Sequence, residues 1–311
     1  MRYAEYPKAD RVLLHLSDTH LLAGGERLYD SVDAEAHLAR AVRAIESSGV
    51  RPDALIFTGD LADHGEREAY RRVRSLVEPL AERLDARVIW VMGNHDDRAA
   101  FRGELLPGEH ADPAAPVDRV DELDGLRIVT LDTTVPGFHH GEITDAQLRW
   151  LADVLRTPAP LGTILALHHP PVPSVLALAA SVELREQRRL ADVLRGSDVR
   201  AIIGGHLHYS TFATFAGIPV SVASATCYTQ DLTVPVGGTR PRDGAQGFNL
   251  VHVYDETIVH SVVPLDAAPA LQYVDAAASA QRLRDAGVVV PASHQVSSRT
   301  APPTSPLPIL R

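Results

Sequence analysis

Short apolar runs and longer amphipathic stretches alternate along the first two thirds of the chain. Residues 12–16, 54–57 and 88–92 are apolar at nearly every position and rich in Val, Ile and Leu, the pattern of strands buried on both faces. Between them, residues 34–48 and 66–84 repeat apolar positions at helical spacing. Asp33 stands where a cap for the first helix belongs, and Pro79 is expected to kink or split the second. Residues 122–123 and 126–131 flank Asp124-Gly125, which favours a tight hairpin turn. Thr144 and Gln147 form a capping-box pattern that opens a helix running to residue 156. Strands are expected at 163–167 and 200–203, with a helix near 186–195 between them. Two strand pairs follow, 211–215 with 218–222 and 250–254 with 257–263.

Alternation followed by hairpins predicts an α/β fold, with two sheets packed together and helices on their outer faces. No repeat of 20 to 50 residues appears in the chain. The end of the chain differs. Residues 273–285 read as a short helix, and from Pro291 the chain is rich in Pro and Ser, a mobile or partner-dependent tail.

Composition narrows the function. A length of 311 residues with 45% hydrophobic content allows one large α/β domain or two small ones. A net charge of −10 argues against sequence-independent binding of nucleic acid, which needs clustered Lys and Arg. The single cysteine, Cys227, excludes an internal disulfide, fits a reducing compartment and reads as packing. The N-terminus carries no apolar signal region, so a cytoplasmic location is expected. The most apolar stretch, 163–182, is interrupted by two His and three Pro and is not a membrane span.

Fifteen histidines direct attention to metal sites. Five patterns each follow an expected strand: Asp18-Thr19-His20, Gly59-Asp60, Gly93-Asn94-His95-Asp96, His168-His169-Pro170 and Gly205-His206-Leu207-His208. Ligands gather at the carboxyl ends of strands in open α/β sheets, so the five can converge on one site. Asp-x-His and His-x-His put two side chains on the same side of an extended backbone. The glycines allow tight turns and close approach. The candidate ligands are Asp18, His20, Asp60, Asn94, His168, His206 and His208: two carboxylates, one amide and four imidazoles. Mixed nitrogen and oxygen donors suit Fe, Mn, Zn or Co better than Ca or Mg. Seven ligands exceed one tetrahedral zinc. Two metals roughly 3.5–4 Å apart can share one carboxylate, and Asp60 is the natural bridge. Any one pattern alone is ordinary turn chemistry; the five together, in this order, are not. His15 reads as core. His37, His64, His110, His252, His260 and His294 read as ordinary. His139 and His140 lie in a loop after an expected strand, and one of them, His139 in preference, is expected to face substrate.

The five patterns resemble the signature of the calcineurin-like metallophosphoesterase superfamily, over about residues 12–263. The longer phrases LHLSDTHL, FTGDLADHGE, WVMGNHDD, LALHHPP, GGHLHYST and VSVASATCYTQDL are similar to the mycobacterial class III cyclic nucleotide phosphodiesterases and bacterial cyclic-AMP phosphodiesterases. The resemblance implies a four-layer αββα sandwich of two mixed sheets flanked by helices, spanning residues 1–267, with 268–311 a C-terminal extension that carries no superfamily motif. It implies that Asp18, His20, Asp60 and His208 hold one metal and Asp60, Asn94, His168 and His206 the other, an Fe and Mn pair with Zn or Co as substitutes. It places the substrate-facing catalytic histidine at His95 and the Asp that orients it at Asp63. Substrate would meet His20, Asp60, Asn94, His95, His139 and His208. The implied reaction is hydrolysis of a 3′,5′-cyclic nucleotide by a homodimer. The tail is then a candidate for peripheral association with a membrane or the cell envelope. The alternatives are a broader phosphodiesterase, phosphatase or nuclease with the same site, a mononuclear zinc hydrolase, and a scaffold that has lost its ligands.

Overall fold

The computed structural model describes residues 2–108, 112–266 and 268–293. Most of its strands fall into two sheets. The first has five strands in the spatial order Ile258–Pro264, Gly247–Val253, Arg11–Leu16, Ala54–Thr58 and Arg87–Val91. The last three are parallel, and Gly247–Val253 runs antiparallel to both of its neighbours. The second sheet has six, in the order Arg119–Leu123, Leu126–Leu131, Thr163–Leu167, Val199–Gly204, Ile218–Val222 and Thr211–Phe215. Its four inner strands are parallel and its two edges antiparallel. Both sheets are mixed, as expected.

The period of two along each strand builds the layers. Leu14, Leu16, Leu55 and Phe57 pack with Leu38 and Ile45 of the helix Ala34–Ser48 and with Val73 and Val77 of the helix Arg67–Leu84. Their alternates Leu13, Ile56, Ile89 and Val91 turn the other way and meet Ile128, Ile164, Ala166 and Ile203 of the second sheet. On that sheet's far face, Val129, Leu131, Leu165 and Ile202 pack with Leu148 and Leu151 of Asp145–Val154 and Leu190 and Leu194 of Gln187–Leu194. Three cores therefore separate four layers, helix, sheet, sheet, helix.

Local signals act as expected at the caps and turns. Asp33 accepts from the Ala36 amide, and the Thr144–Gln147 capping box is complete. Asp124 and Gly125 both have positive φ between the two strands they join. One expectation fails: Pro79 does not split its helix, which runs unbroken over Arg67–Leu84. Pro79 and Ser75, whose carbonyl loses its helical partner to the proline ring, are both on the exposed face. Val77, Leu80, Ala81 and Leu84 continue the buried face across that point.

Some elements escaped the sequence reading. A helix at Arg98–Leu105 is capped by Asp97, and a six-residue 3₁₀ segment spans Ala177–Val182. A small sheet joins Thr229–Gln230 to Pro241–Arg242. The C-terminal helix covers Ala276–Asp285, starting later than expected because Asp275 caps it. Beyond it, Val288–Val289 pairs in parallel with Arg2–Tyr3, and the Lys8 amide donates to the Pro291 carbonyl, so the extension is tied to the start of the chain. His110, His294, the 267/268 boundary and the tail from residue 294 lie outside the described residues. Among the described residues, no helix is long and apolar enough to cross a membrane.

Candidate metal centre

The seven candidate ligands sit where five parallel strands end. Asp18 and His20 follow Arg11–Leu16, Asp60 follows Ala54–Thr58, and Asn94 follows Arg87–Val91. From the second sheet, His168 follows Thr163–Leu167, and His206 and His208 follow Val199–Gly204. Backbone bonds lock these loops together: Asp18 N to Gly59 O at 3.1 Å, His20 N to Asp60 O at 2.9 Å and Gly205 N to His168 O at 3.1 Å. Asp18, His20, Asp60, His206 and His208 all have positive φ, which side-chain-bearing residues adopt only where the surroundings enforce it. Two glycines are sterically required. A Cβ on Gly93 would strike the amide and carboxylate of Asp60, and one on Gly205 would strike the Ser17 hydroxyl.

Each imidazole has one nitrogen committed. His168 Nδ1 donates to the Thr58 carbonyl at 2.7 Å, and His206 Nε2 to the Val182 carbonyl at 3.0 Å. His208 Nδ1 donates to the Tyr228 carbonyl at 3.0 Å, and His20 Nδ1 to Asp63 Oδ1 at 2.8 Å. In each neutral ring the other nitrogen is therefore a lone pair. On one side, His168 Nε2 lies 3.2 Å from His206 Nδ1, 3.1 Å from Asn94 Oδ1 and 3.2 Å from Asp60 Oδ2. On the other, His20 Nε2 lies 3.4 Å from the same Asp60 Oδ2, and His208 Nε2 lies 3.5 Å from Asp18 Oδ1. His20 Nε2 is buried with no hydrogen-bond partner. Acceptors that face acceptors at these distances repel until a cation sits among them. The arrangement fits a dinuclear metal site, Asp60 Oδ2 lies near nitrogens of both sides, and the committed outer nitrogens are what metal-binding imidazoles show.

Electrostatics agree. Burial alone would lower His168, but the Asp60 and Asp18 carboxylates outweigh it and push it up to about 9. Burial would raise Asp60, yet His168 and His20 hold it well below the carboxylate range. Burial, then the His168 charge, takes His206 down to about 3; burial, then His20, does the same to His208. The protons this cluster needs to relieve its own charge are the ones that bound cations displace.

A cavity of about 410 Å³ opens over the centre. His20, Asp60, Asn94, His95, His139 and His208, the six residues expected to meet substrate, all line it. Asp18 and His168 are fully buried beneath. His139, not His140, faces the cavity, with Nδ1 3.0 Å from Asn94 Nδ2; this contact also sets the amide so that its oxygen points at His168. His140 is buried and bonds Glu142. His95 stacks edge-on against His20, and burial, with the His20 charge, lowers it.

Asp63 holds the His95 ring, chiefly through its main chain. His95 Nδ1 donates to the main-chain carbonyl of Asp63 at 2.8 Å, while the carboxylate lies 3.5 Å away. That carboxylate serves His20 instead. The loop geometry lets one residue hold two rings, one through each kind of oxygen.

Other residues were not found in the sequence. Asp96 accepts from the amides of Gly93, Leu61 and Ala62 and from the Tyr70 hydroxyl, pinning the Asp60 and Asn94 loops to each other. His169 bonds Thr133 Oγ1 at 2.7 Å and the His139 carbonyl at 3.1 Å, so both its nitrogens are used in holding the His139 loop. Tyr228 packs on His208, ring centres 4.4 Å apart, and lines the cavity with Gln230 and the segment Leu176 to Val182. The first two stood inside motifs, and Tyr228 and Gln230 inside a quoted phrase, but nothing in the sequence said what they touch. Cys227 packs beside His208, and burial pushes its thiol up to about 12, so it stays protonated and apolar.

Comparison with known proteins places the chain among characterised folds. The family described as calcineurin-like phosphoesterase matches residues 12–210. A cAMP/cGMP dual specificity phosphodiesterase of Mycobacterium tuberculosis is 59% identical over 304 residues, 97% of this chain and 95% of that protein. A Rhodococcus erythropolis protein named a probable cyclic nucleotide phosphodiesterase is 64% identical over 289 residues, 93% of this chain and 95% of its own. A solved dimetal phosphatase from Danio rerio, only 16% identical, shares the fold with a TM-score of 0.60 over 83% of this chain and 98% of its own.

Proposed function

The chain belongs to the calcineurin-like phosphoesterase family, and we propose that it hydrolyses 3′,5′-cyclic AMP and cyclic GMP to the 5′-monophosphates. The reaction class rests on one observation above others, the convergence of bare nitrogen and oxygen acceptors from both sides on Asp60 Oδ2. The substrate class rests on what the two similar bacterial proteins are named for. Asp18, His20, Asp60 and His208 would hold one metal, and Asp60, Asn94, His168 and His206 the other. Iron and manganese suit this donor set, with zinc or cobalt as substitutes. When bound, two such metals supply Lewis acidity toward the phosphate and a water acidic enough to furnish hydroxide near neutral pH.

The protein's own groups do the rest. His95 is anchored through Nδ1, so Nε2 is the nitrogen left for substrate. It is placed to give a proton to the departing O3′ alkoxide, a poor leaving group. A bound phosphodiester anion adds a negative neighbour that favours the imidazolium. Asn94 and His139 flank the same side of the cavity and orient the phosphate oxygens. Asp63 keeps His95 and His20 in register with each other. The reading is tested on protein of known metal content with a panel of cyclic AMP, cyclic GMP, bis(p-nitrophenyl) phosphate, p-nitrophenyl phosphate and DNA. The cyclic nucleotides and bis(p-nitrophenyl) phosphate should be turned over well ahead of p-nitrophenyl phosphate and DNA. Turnover of the monoester with equal kcat/KM would sink the reading.

A further inference from the structure

The cavity has two walls. The inner one carries the candidate ligands, His95 and His139. The outer one is formed by Leu176 to Val182 on one side and by Tyr228, Gln230 and Thr239 on the other. A cyclic nucleotide with its phosphate over the candidate ligands would leave its base to the rest of this lining. There the ring of Tyr228 and the side chains of Leu176, Leu178 and Val182 offer the apolar surface a purine stacks on.

Hydrogen-bonding capacity on that wall is concentrated at one residue. The Ser181 hydroxyl donates to the Leu178 carbonyl. The Tyr228 hydroxyl meets that of Tyr29 at 3.3 Å. Thr239 is exposed and offers a single hydroxyl. Gln230 differs: among the described residues its side-chain amide has no hydrogen-bond partner, and its Oε1 is buried without one. Its backbone, by contrast, is fixed. The Gln230 amide donates to the His208 carbonyl at 3.0 Å, so the residue is tied directly to a candidate ligand. It pairs with Pro241, and the next residue, Asp231, holds Arg240 and Thr233. A pinned main chain thus carries an amide that nothing in the protein orients.

The geometry points to Gln230 as the residue that recognises the purine, turning its amide to suit adenine or guanine. Adenine presents an amino donor beside the N1 acceptor. Guanine presents the O6 acceptor beside the N1–H donor, the reverse order. An amide has one donor end and one acceptor end, and half a turn exchanges them. An amide clamped by a neighbour would choose one base; this one is free to accept both. The inference rests on the cyclic-nucleotide reading above.

The test is steady-state kinetics of wild type, Gln230→Leu and Gln230→Glu on cyclic AMP and cyclic GMP. Metal content and melting temperature are matched first. Leucine should raise KM for both nucleotides by about tenfold, with kcat changed much less, as loss of a hydrogen bond to a bound base does. Glutamate accepts from guanine N1–H and the guanine amino group but opposes the lone pair of adenine N1. It should shift the ratio of kcat/KM toward cyclic GMP by about tenfold or more. Unchanged KM values and an unchanged ratio in both variants would overturn the assignment while leaving the cyclic-nucleotide reading intact. So would an equal loss on bis(p-nitrophenyl) phosphate, which carries no purine. Wild-type enzyme that cleaves that diester but neither cyclic nucleotide would overturn the reading itself, and this inference with it.

Discussion

Two sets of histidines with enclosed ring nitrogens stand in different surroundings in this chain. At the strand ends, His20, His168, His206 and His208 each give one nitrogen to a fixed oxygen and turn the other toward Asp18 or Asp60 or toward a partner ring. Inside the first sheet, His15 bonds, among the described residues, only Thr58 Oγ1, at 2.9 Å, and its Nδ1 is buried without a partner there. Its neighbour His260 has neither nitrogen bonded. Burial, joined by the His260 charge, takes His15 down to about 3, and burial takes His260 down to about 4. His168 is buried as deeply as His15 yet is pushed up to about 9 by carboxylates. Burial alone therefore makes an imidazole neutral and inert. A metal-binding imidazole needs two further things: an acceptor on its far nitrogen to fix the tautomer, and acidic company on its near one.

The sharpest way to break this contrast is to remove the atom both halves of the centre share. Asp60→Ala should lose both metals and cut kcat by about 10⁴-fold or more. Asp18→Ala, whose carboxylate belongs to one of the two proposed ligand sets and lies 3.5 Å from His208 Nε2, should keep one metal in elemental analysis and lose less. Equal losses of metal and activity from the two variants would remove the case for a shared oxygen. The next effect concerns His95, which we assign to substrate and not to a metal. His95→Ala should keep both metals and lower kcat on cyclic AMP by roughly 10²-fold. The loss should shrink on an ester that leaves as p-nitrophenolate, because that group needs no proton. An equal loss on both esters would assign His95 to phosphate binding.

Asp63→Ala sharpens the comparison further, since of the four candidate ligand imidazoles it strips the far-side acceptor from His20. The main-chain carbonyl that holds His95 survives the substitution. Metal affinity should fall by about 10–100-fold, and the dependence on leaving group should stay that of wild type. If the leaving-group dependence vanished while metal binding held, the carboxylate would belong to His95 after all.

The same contrast explains what was legible in the sequence. Asp18, His20, Asp60, Asn94, His168, His206 and His208 were readable as a candidate site because they stand in short, Gly-linked phrases with period-two spacing at strand ends. His15 was readable as core because it alternates with apolar residues on a buried strand. The far-side acceptors were not readable: three of them, on Thr58, Val182 and Tyr228, are main-chain carbonyls, which every residue has. That the Asp63 carboxylate lies closer to His20 than to His95 was not readable, because a spacing of three from Asp60 says which loop it is on, not which neighbour it meets. Gln230 sat inside a quoted phrase, yet its free amide emerges only once the Thr229–Gln230 strand folds over the cavity. Pro79 misled because the rule for proline is local, and a continuous buried face overrode it.

The smallest effect is on stability, and it separates the two kinds of histidine by pH. His260 has an ordinary value near 6.5 when unfolded and is lowered to about 4 by burial when folded. Between those values the unfolded chain binds the extra proton, so stability rises with pH across the window. The contribution is complete above 6.5 and is lost as pH falls toward 4. The ring is not wholly enclosed, so the size is discounted to about 1 kcal/mol between pH 6.5 and 5. His260→Leu removes the titrating group and should flatten that part of the pH dependence in urea unfolding, leaving the share due to His15. Taking the difference between variant and wild type at pH 7 and pH 5 cancels the metal centre, which both proteins keep. A difference that is the same at both pH values would mean that His260 escapes its sheet as easily charged as neutral. Burial without a partner would then not be what separates the inert histidines from those at the strand ends.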